Sequence, residues 1–146
     1  MREFATAMTR RRLMATAAAL SITRPGLAAN APWTRQAFEQ AMARSGRPCT
    51  LSDEQFEAIQ ARKPAAIKRI ADYLQAHRDA ADPRVLAAFE AVPREYFHYL
   101  YSEHRGAPAD AYEEDPKPWG LGYGSALSDY LGQAYMTQVA QPGRTT

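Results

Sequence analysis

Between Trp33 and Arg44 the apolar residues Trp33, Ala37, Phe38, Ala41 and Met42 fall on one stripe at i, i+4 spacing. That pattern predicts an amphipathic helix, opened by Pro32 at the first helical position and closed by Gly46. Residues 47–50 read as a linker. Ser52, followed three residues later by Gln55, is a capping box, and a short helix is expected from there to about Arg62. Pro64 restarts a helix with Ile67, Ile70, Ala71 and Leu74 on one face and Lys68, Arg69 and Asp72 off it. Asp82-Pro83 supplies an N-cap and a first helical residue for a segment whose apolar face is Val85, Leu86, Phe89 and Val92. Pro93 ends that segment and opens a short turn through Glu95-Tyr96-Phe97.

Tyr96, Phe97, Tyr99, Leu100 and Tyr101 form an aromatic cluster expected to pack the helices together. Arg105 to Asp115 reads as loop, and Tyr123 to Leu127 as a short extended piece. Ser128 is placed to N-cap a last helix, Asp129 to Ala140, with Leu131, Ala134, Tyr135 and Val139 as its buried stripe. The pattern predicts a mainly α chain: four or five short helices plus one loop with a short strand, and no internal repeat.

Charge and composition narrow the class. Of the 18 basic and 16 acidic residues, five arginines and one glutamate lie in residues 1–31, leaving 13 basic against 15 acidic over 32–146. The folded part therefore has no basic excess, and a nucleic-acid partner is not expected. The single cysteine, Cys49, excludes an intramolecular disulfide and a cysteine-rich zinc site, and His77, His98 and His104 lack metal-ligand spacing. Residues 1–31 combine Thr9-Arg10-Arg11-Arg12-Leu13-Met14, a short alanine-rich apolar run and small residues near Ala29-Asn30-Ala31. This is the layout of an export signal, of twin-arginine type by its Arg-Arg-x-Leu-Met order. The run is shorter than the roughly 20 apolar residues needed to span a bilayer, so no stable membrane insertion is expected. With a working leader the protein is periplasmic or exported; otherwise it is cytoplasmic.

The candidate chemistry lies at Tyr112–Ser128. Residues 116–128 carry three glycines and two prolines directly before an apolar helical pattern. That composition builds a backbone-exposing loop that presents Ser128 beside a helix N-terminus. On the residues alone, Ser128 is either a plain helix cap or a hydroxyl offered to a ligand.

Two stretches together resemble the protein-L-isoaspartate O-methyltransferase family. Asp82-Pro83-Arg84-Val85-Leu86 through Val92-Pro93-Arg94-Glu95-Tyr96-Phe97 is similar to the family's opening helix and Val-Pro-Arg turn. Tyr112-Glu113, Pro118, Leu121, Gly122-Tyr123-Gly124 and Leu127-Ser128 follow its next signature in order and spacing. The resemblance covers about Asp82 to Gln138.

It implies the N-terminal part of an α/β, Rossmann-like enzyme that methylates isoaspartyl carboxylates in damaged proteins with S-adenosylmethionine. Ser128 then takes the family's serine and orients the substrate carboxylate. Gly122, Tyr123, Gly124, Ser125 and Leu127 form the substrate rim, with the helix N-terminus adding a field favourable to an anion. Residues 1–31 are then the leader, 32–81 a helical N-terminal extension, 82–140 the family-like region and 141–146 a polar tail. Three departures accompany the likeness. Ser125-Ala126 stands where the family has Gln-Thr, and Tyr130 where it has proline. The family's glycine-rich cofactor strand and turn have no counterpart here, so the chain is expected to be truncated and inactive alone. The alternative is an exported, non-catalytic helical module that binds peptides with the same loop.

Overall fold

The computed structural model describes residues 32–140; the expected leader and polar tail lie outside them. Helix α1 spans Arg35–Arg44, and its cap is Thr34, whose Oγ1 accepts the Ala37 N–H at 3.2 Å. The helix thus begins after Trp33 rather than at Pro32, because a threonine hydroxyl satisfies an orphan N–H that proline cannot. Gly46, at φ +72°, ends it as expected. Its N–H meets the Ala43 carbonyl at 3.0 Å, and the Arg47 N–H meets the Met42 carbonyl at 3.0 Å.

The capping box is formed in both directions. Gln55 N–H donates to Ser52 Oγ at 3.1 Å, and Ser52 N–H donates to Gln55 Oε1 at 2.9 Å. Helix α2 then runs unbroken over Asp53–Arg78 with Pro64 inside it, not as two helices. An interior proline costs about 3 kcal/mol, yet Ile59 before it and Ala66, Ile70 and Leu74 after it lie in one core. Each large apolar side chain buried there contributes about 1.5–3 kcal/mol, so continuity outweighs the lost hydrogen bond. Pro64→Ala returns an N–H to the carbonyl of Gln60, four residues back. It is expected to stabilise the chain by about 1–2 kcal/mol after the entropy it adds to the unfolded state, measurable by urea denaturation.

Helix α3, Pro83–Ala91, starts as expected from Asp82, whose Oδ1 accepts the Arg84 N–H at 2.9 Å. Helix α4 covers Tyr130–Ala140. Helices α2, α3 and α4 pack on one another around Ile59, Ile70, Leu74, Val85, Tyr112, Tyr130 and Ala134. A second cluster of Phe38, Met42, Phe56 and Tyr99 seats α1, and Leu51 touches both. The segment expected as an extension therefore supplies the central helix of the common core. The buried line of α4 is Tyr130, Ala134 and Gln138, displaced by about one residue from the expected stripe, while Val139 is 45% exposed. Gln138 accepts the Asp82 N–H at 2.9 Å and donates to the Ala80 carbonyl at 2.7 Å, pinning the α2–α3 connection.

Among the described residues four short strands join these helices. β1, Tyr99–Leu100, pairs antiparallel with β2, Arg105–Gly106, inside the region read as loop. β3, Trp119–Gly122, pairs antiparallel with β4, Ser125–Leu127. Tyr101 N–H donates to the Leu121 carbonyl at 2.8 Å and joins the two hairpins. The expected mainly helical class holds, with two small antiparallel sheets added. Of the aromatic cluster, Tyr99 is buried and Tyr96 packs beside it, whereas Phe97 and Tyr101 face outward. Among the described residues no helix is long and apolar enough to cross a membrane.

Candidate functional site

The glycine-rich stretch is a hairpin, not a single extended piece. Tyr123 and Gly124 form its two-residue turn, both with positive φ (52° and 76°), the requirement of a type I′ connection. Gly122 has φ +97°, and a Cβ there would lie 2.8 Å from both the Ser102 N and Oγ. Gly124 has open space around it. Gly122→Ala is therefore expected to cost about 2–3 kcal/mol through clash and strain, and Gly124→Ala about 1 kcal/mol through strain alone. Thermal melts of the two variants check the order. Tyr123 is 81% exposed at the tip. Gly122, Tyr123, Gly124 and Ser125 thus form an outer rim, and of the expected rim residues Leu127 alone lines the groove described below.

Ser128 does not cap α4. The cap is Asp129, whose Oδ1 accepts the Gly132 N–H at 2.7 Å and whose carbonyl accepts the Gln133 N–H at 3.0 Å. Both residues carry a capping oxygen, and the ionised carboxylate gains more from the helix dipole than a hydroxyl does. The expected anion-attracting helix end is consequently occupied by the chain's own carboxylate. Ser128 is exposed, and its hydroxyl makes no hydrogen bond to the other described residues. What fixes Ser128 is its carbonyl, which accepts from Arg94 Nη2 at 2.7 Å. Arg94 Nη1 donates to Gln133 Oε1 at 2.5 Å, so one guanidinium joins the turn before β1 to the loop before α4.

Beside Arg94 lies a buried carboxylate that the sequence reading placed only in a turn. Glu95 is fully buried. Its Oε1 accepts Trp33 Nε1–H at 2.7 Å and Gln60 Nε2–H at 2.6 Å, and its Oε2 accepts the Tyr112 hydroxyl at 2.6 Å. The same Tyr112 oxygen accepts the Arg94 N–H at 3.1 Å. Burial, reinforced by Glu95, pushes the Tyr112 phenol above its ordinary range. His98 is also buried, against the Trp119 ring at 4.9 Å between centroids. Burial, with the Arg94 charge adding to it, holds its imidazole down to about 3, so it is neutral at physiological pH. In the sequence this network shows only as a charged pair, Arg94-Glu95, set between Pro93 and an aromatic run, which names none of its distant partners.

Between α3, α4 and the Arg94 turn runs a groove of about 540 Å³. Phe89, Val92, Phe97, Leu127 and Met136 make it apolar, and Arg94, Gln133 and Thr137 are its polar members. Met136 is 64% exposed and Val92 50% exposed, the latter against the expectation that it faces the core.

S-adenosylmethionine does not fit the described residues. Among the described residues both sheets are antiparallel pairs, and neither presents the strand, glycine turn and helix of a nucleotide cradle. The glycine turn leads into β4 rather than a helix. The one ionised side chain of the groove, Arg94, would repel the sulfonium. Among the described residues no cluster of side chains is arranged to hold a metal ion. No known protein-family model matches the chain, and no solved structure matches it significantly.

Proposed function

We propose that residues 82–140 form the substrate-facing part of a protein-L-isoaspartate O-methyltransferase-like protein and recognise isoaspartyl peptides at Ser128. The observation that carries this reading is the convergence of the two family-like stretches. Arg94, from Val92-Pro93-Arg94-Glu95, holds the carbonyl of Ser128, and Tyr112, from the second stretch, bonds both Arg94 and Glu95. Two motifs that are separate in sequence thus share one hydrogen-bonded unit with an available hydroxyl at its edge. The Ser128 hydroxyl supplies one donor for a substrate carboxylate, and the exposed hairpin edge offers backbone to a peptide. Asp129 sits next to that carboxylate, so binding rests on the hydroxyl and the backbone rather than on the helix dipole.

The methyl donor is not housed by the described residues in this reading. A Rossmann-like layer carrying it would cover the apolar groove, and the exposed Val92, Phe97 and Met136 support a further layer there. Equilibrium dialysis of the full chain with S-adenosylmethionine is expected to show no saturable binding. The same surface without such a layer is the alternative, a non-catalytic peptide-binding module.

Ser128→Ala tests the site itself. An isoaspartyl peptide should bind about tenfold more weakly, the loss of one hydrogen bond to a charged group. The melting temperature should not change, because the hydroxyl holds nothing within the protein. A drop in melting temperature with unchanged peptide affinity would return Ser128 to a purely structural role.

A further inference from the structure

A second, much smaller cavity is also lined by Arg94. It measures about 10 Å³ and is lined by Arg94, His98, Asp110, Glu113, Lys117, Trp119 and Tyr130 among others. Most polar groups around it have partners. Trp119 Nε1–H donates to Asp110 at 3.0 Å, Tyr130 donates to the Glu113 carbonyl at 2.8 Å, and Lys117 pairs with Glu113 at 3.8 Å. Arg94 Nε and both ring nitrogens of His98 are buried without a hydrogen-bond partner. Arg94 is 8% exposed and His98 1%. A buried N–H left unmade costs about 1–3 kcal/mol, and native proteins satisfy nearly all of them.

We infer that one water molecule is bound in this cavity, accepting from Arg94 Nε–H and from the N–H of His98. The volume is about that of a single water-sized probe, which excludes a carboxylate or phosphate. Two donors face the site, and water brings two lone pairs; its own hydrogens turn towards Asp110 and Glu113. Asp110 and Glu113 are balanced there by Arg94 and Lys117, so the volume rather than the charge selects water over an anion. Neutral His98 carries one N–H, so the assignment also requires that proton to be on the ring nitrogen that faces the cavity. The bare nitrogen remains the unpaired atom, which is less costly than an unpaired N–H. The water completes the hydrogen bonding of the guanidinium whose other two arms hold Gln133 and Ser128. It therefore acts as a positioning element for that loop, whatever ligand the loop takes.

NMR of the full chain tests this. The expected result is a nuclear Overhauser cross-peak between the His98 ring protons and a long-lived water, together with a long-range nitrogen spectrum showing a single neutral tautomer. A His98 ring hydrogen-bonded directly to a protein side chain, or no long-lived water beside it, would overturn the assignment. So would chloride-dependent shifts at His98 and Arg94, which would place an anion there. In His98→Phe the water signal should vanish while the remaining spectrum keeps its dispersion; persistence of the signal would show that His98 is not its partner. If that variant fails to fold, the spectrum of the parent chain decides alone.

Discussion

Glu95→Ala is expected to destabilise the protein by about 4 kcal/mol, the largest effect of any single substitution considered. Three donors, Trp33 Nε1–H, Gln60 Nε2–H and the Tyr112 hydroxyl, converge on this fully buried side chain. Alanine leaves all three unmade in a site that water does not readily reach. Each such loss costs about 1–3 kcal/mol, moderated where the side chains re-orient. Against a usual total of about 5–15 kcal/mol, the variant should sit near its unfolding midpoint in mild urea. Glu95→Gln keeps the shape and one acceptor, so Trp33 and Gln60 can remain bonded. Its amide then faces Tyr112, whose proton loses its acceptor while the phenol oxygen still takes the Arg94 N–H. A smaller cost, about 1–2 kcal/mol, is expected. Urea denaturation of the two variants reads both the magnitudes and their order; equal effects would mean that volume, not hydrogen bonding, sets the cost.

Arg94→Lys carries the second-largest expected effect, about 3 kcal/mol. A guanidinium reaches Gln133 Oε1 and the Ser128 carbonyl at the same time because its donors form a rigid fork. An ammonium can serve one of them, and the other acceptor, only partly buried, loses its protein partner. The site should suffer as well as the fold. With the Ser128 carbonyl released, the loop between β4 and α4 loses its tether, and peptide affinity should fall at least as far as in Ser128→Ala. Denaturation gives the first quantity and peptide titration the second. A variant with lowered stability but intact peptide binding would separate the Arg94 tether from recognition.

How legible the fold was in the sequence depended on the distance between partners. The Ser52–Gln55 box, the Asp82-Pro83 start and the Gly46 stop are settled within about four residues, and each stands where the sequence placed it. Pro64 breaks the local rule because the core on both sides of it outweighs one missing hydrogen bond. Ser128 and Asp129 are adjacent and both able to cap, so the pattern alone could not choose between them. The Tyr123-Gly124 turn carries a weaker signal than Asn-Gly and hides a hairpin inside a glycine-rich run. The Glu95 network was out of reach for a different reason: its partners lie 62, 35 and 17 residues away in sequence. The candidate site was legible as a constellation of motifs, while its organising residues, Arg94 and Glu95, emerged only when tertiary contacts brought those motifs together.

The proposed recognition of isoaspartyl peptides meets its most direct test in a pair of short peptides, identical except that one carries isoaspartate and the other aspartate. Titrated into the full chain and followed by Trp119 fluorescence, the isoaspartyl peptide should bind at least about tenfold more tightly, one well-made hydrogen bond's worth of discrimination. Equal affinity for the two isomers, or binding of neither, would contradict the account.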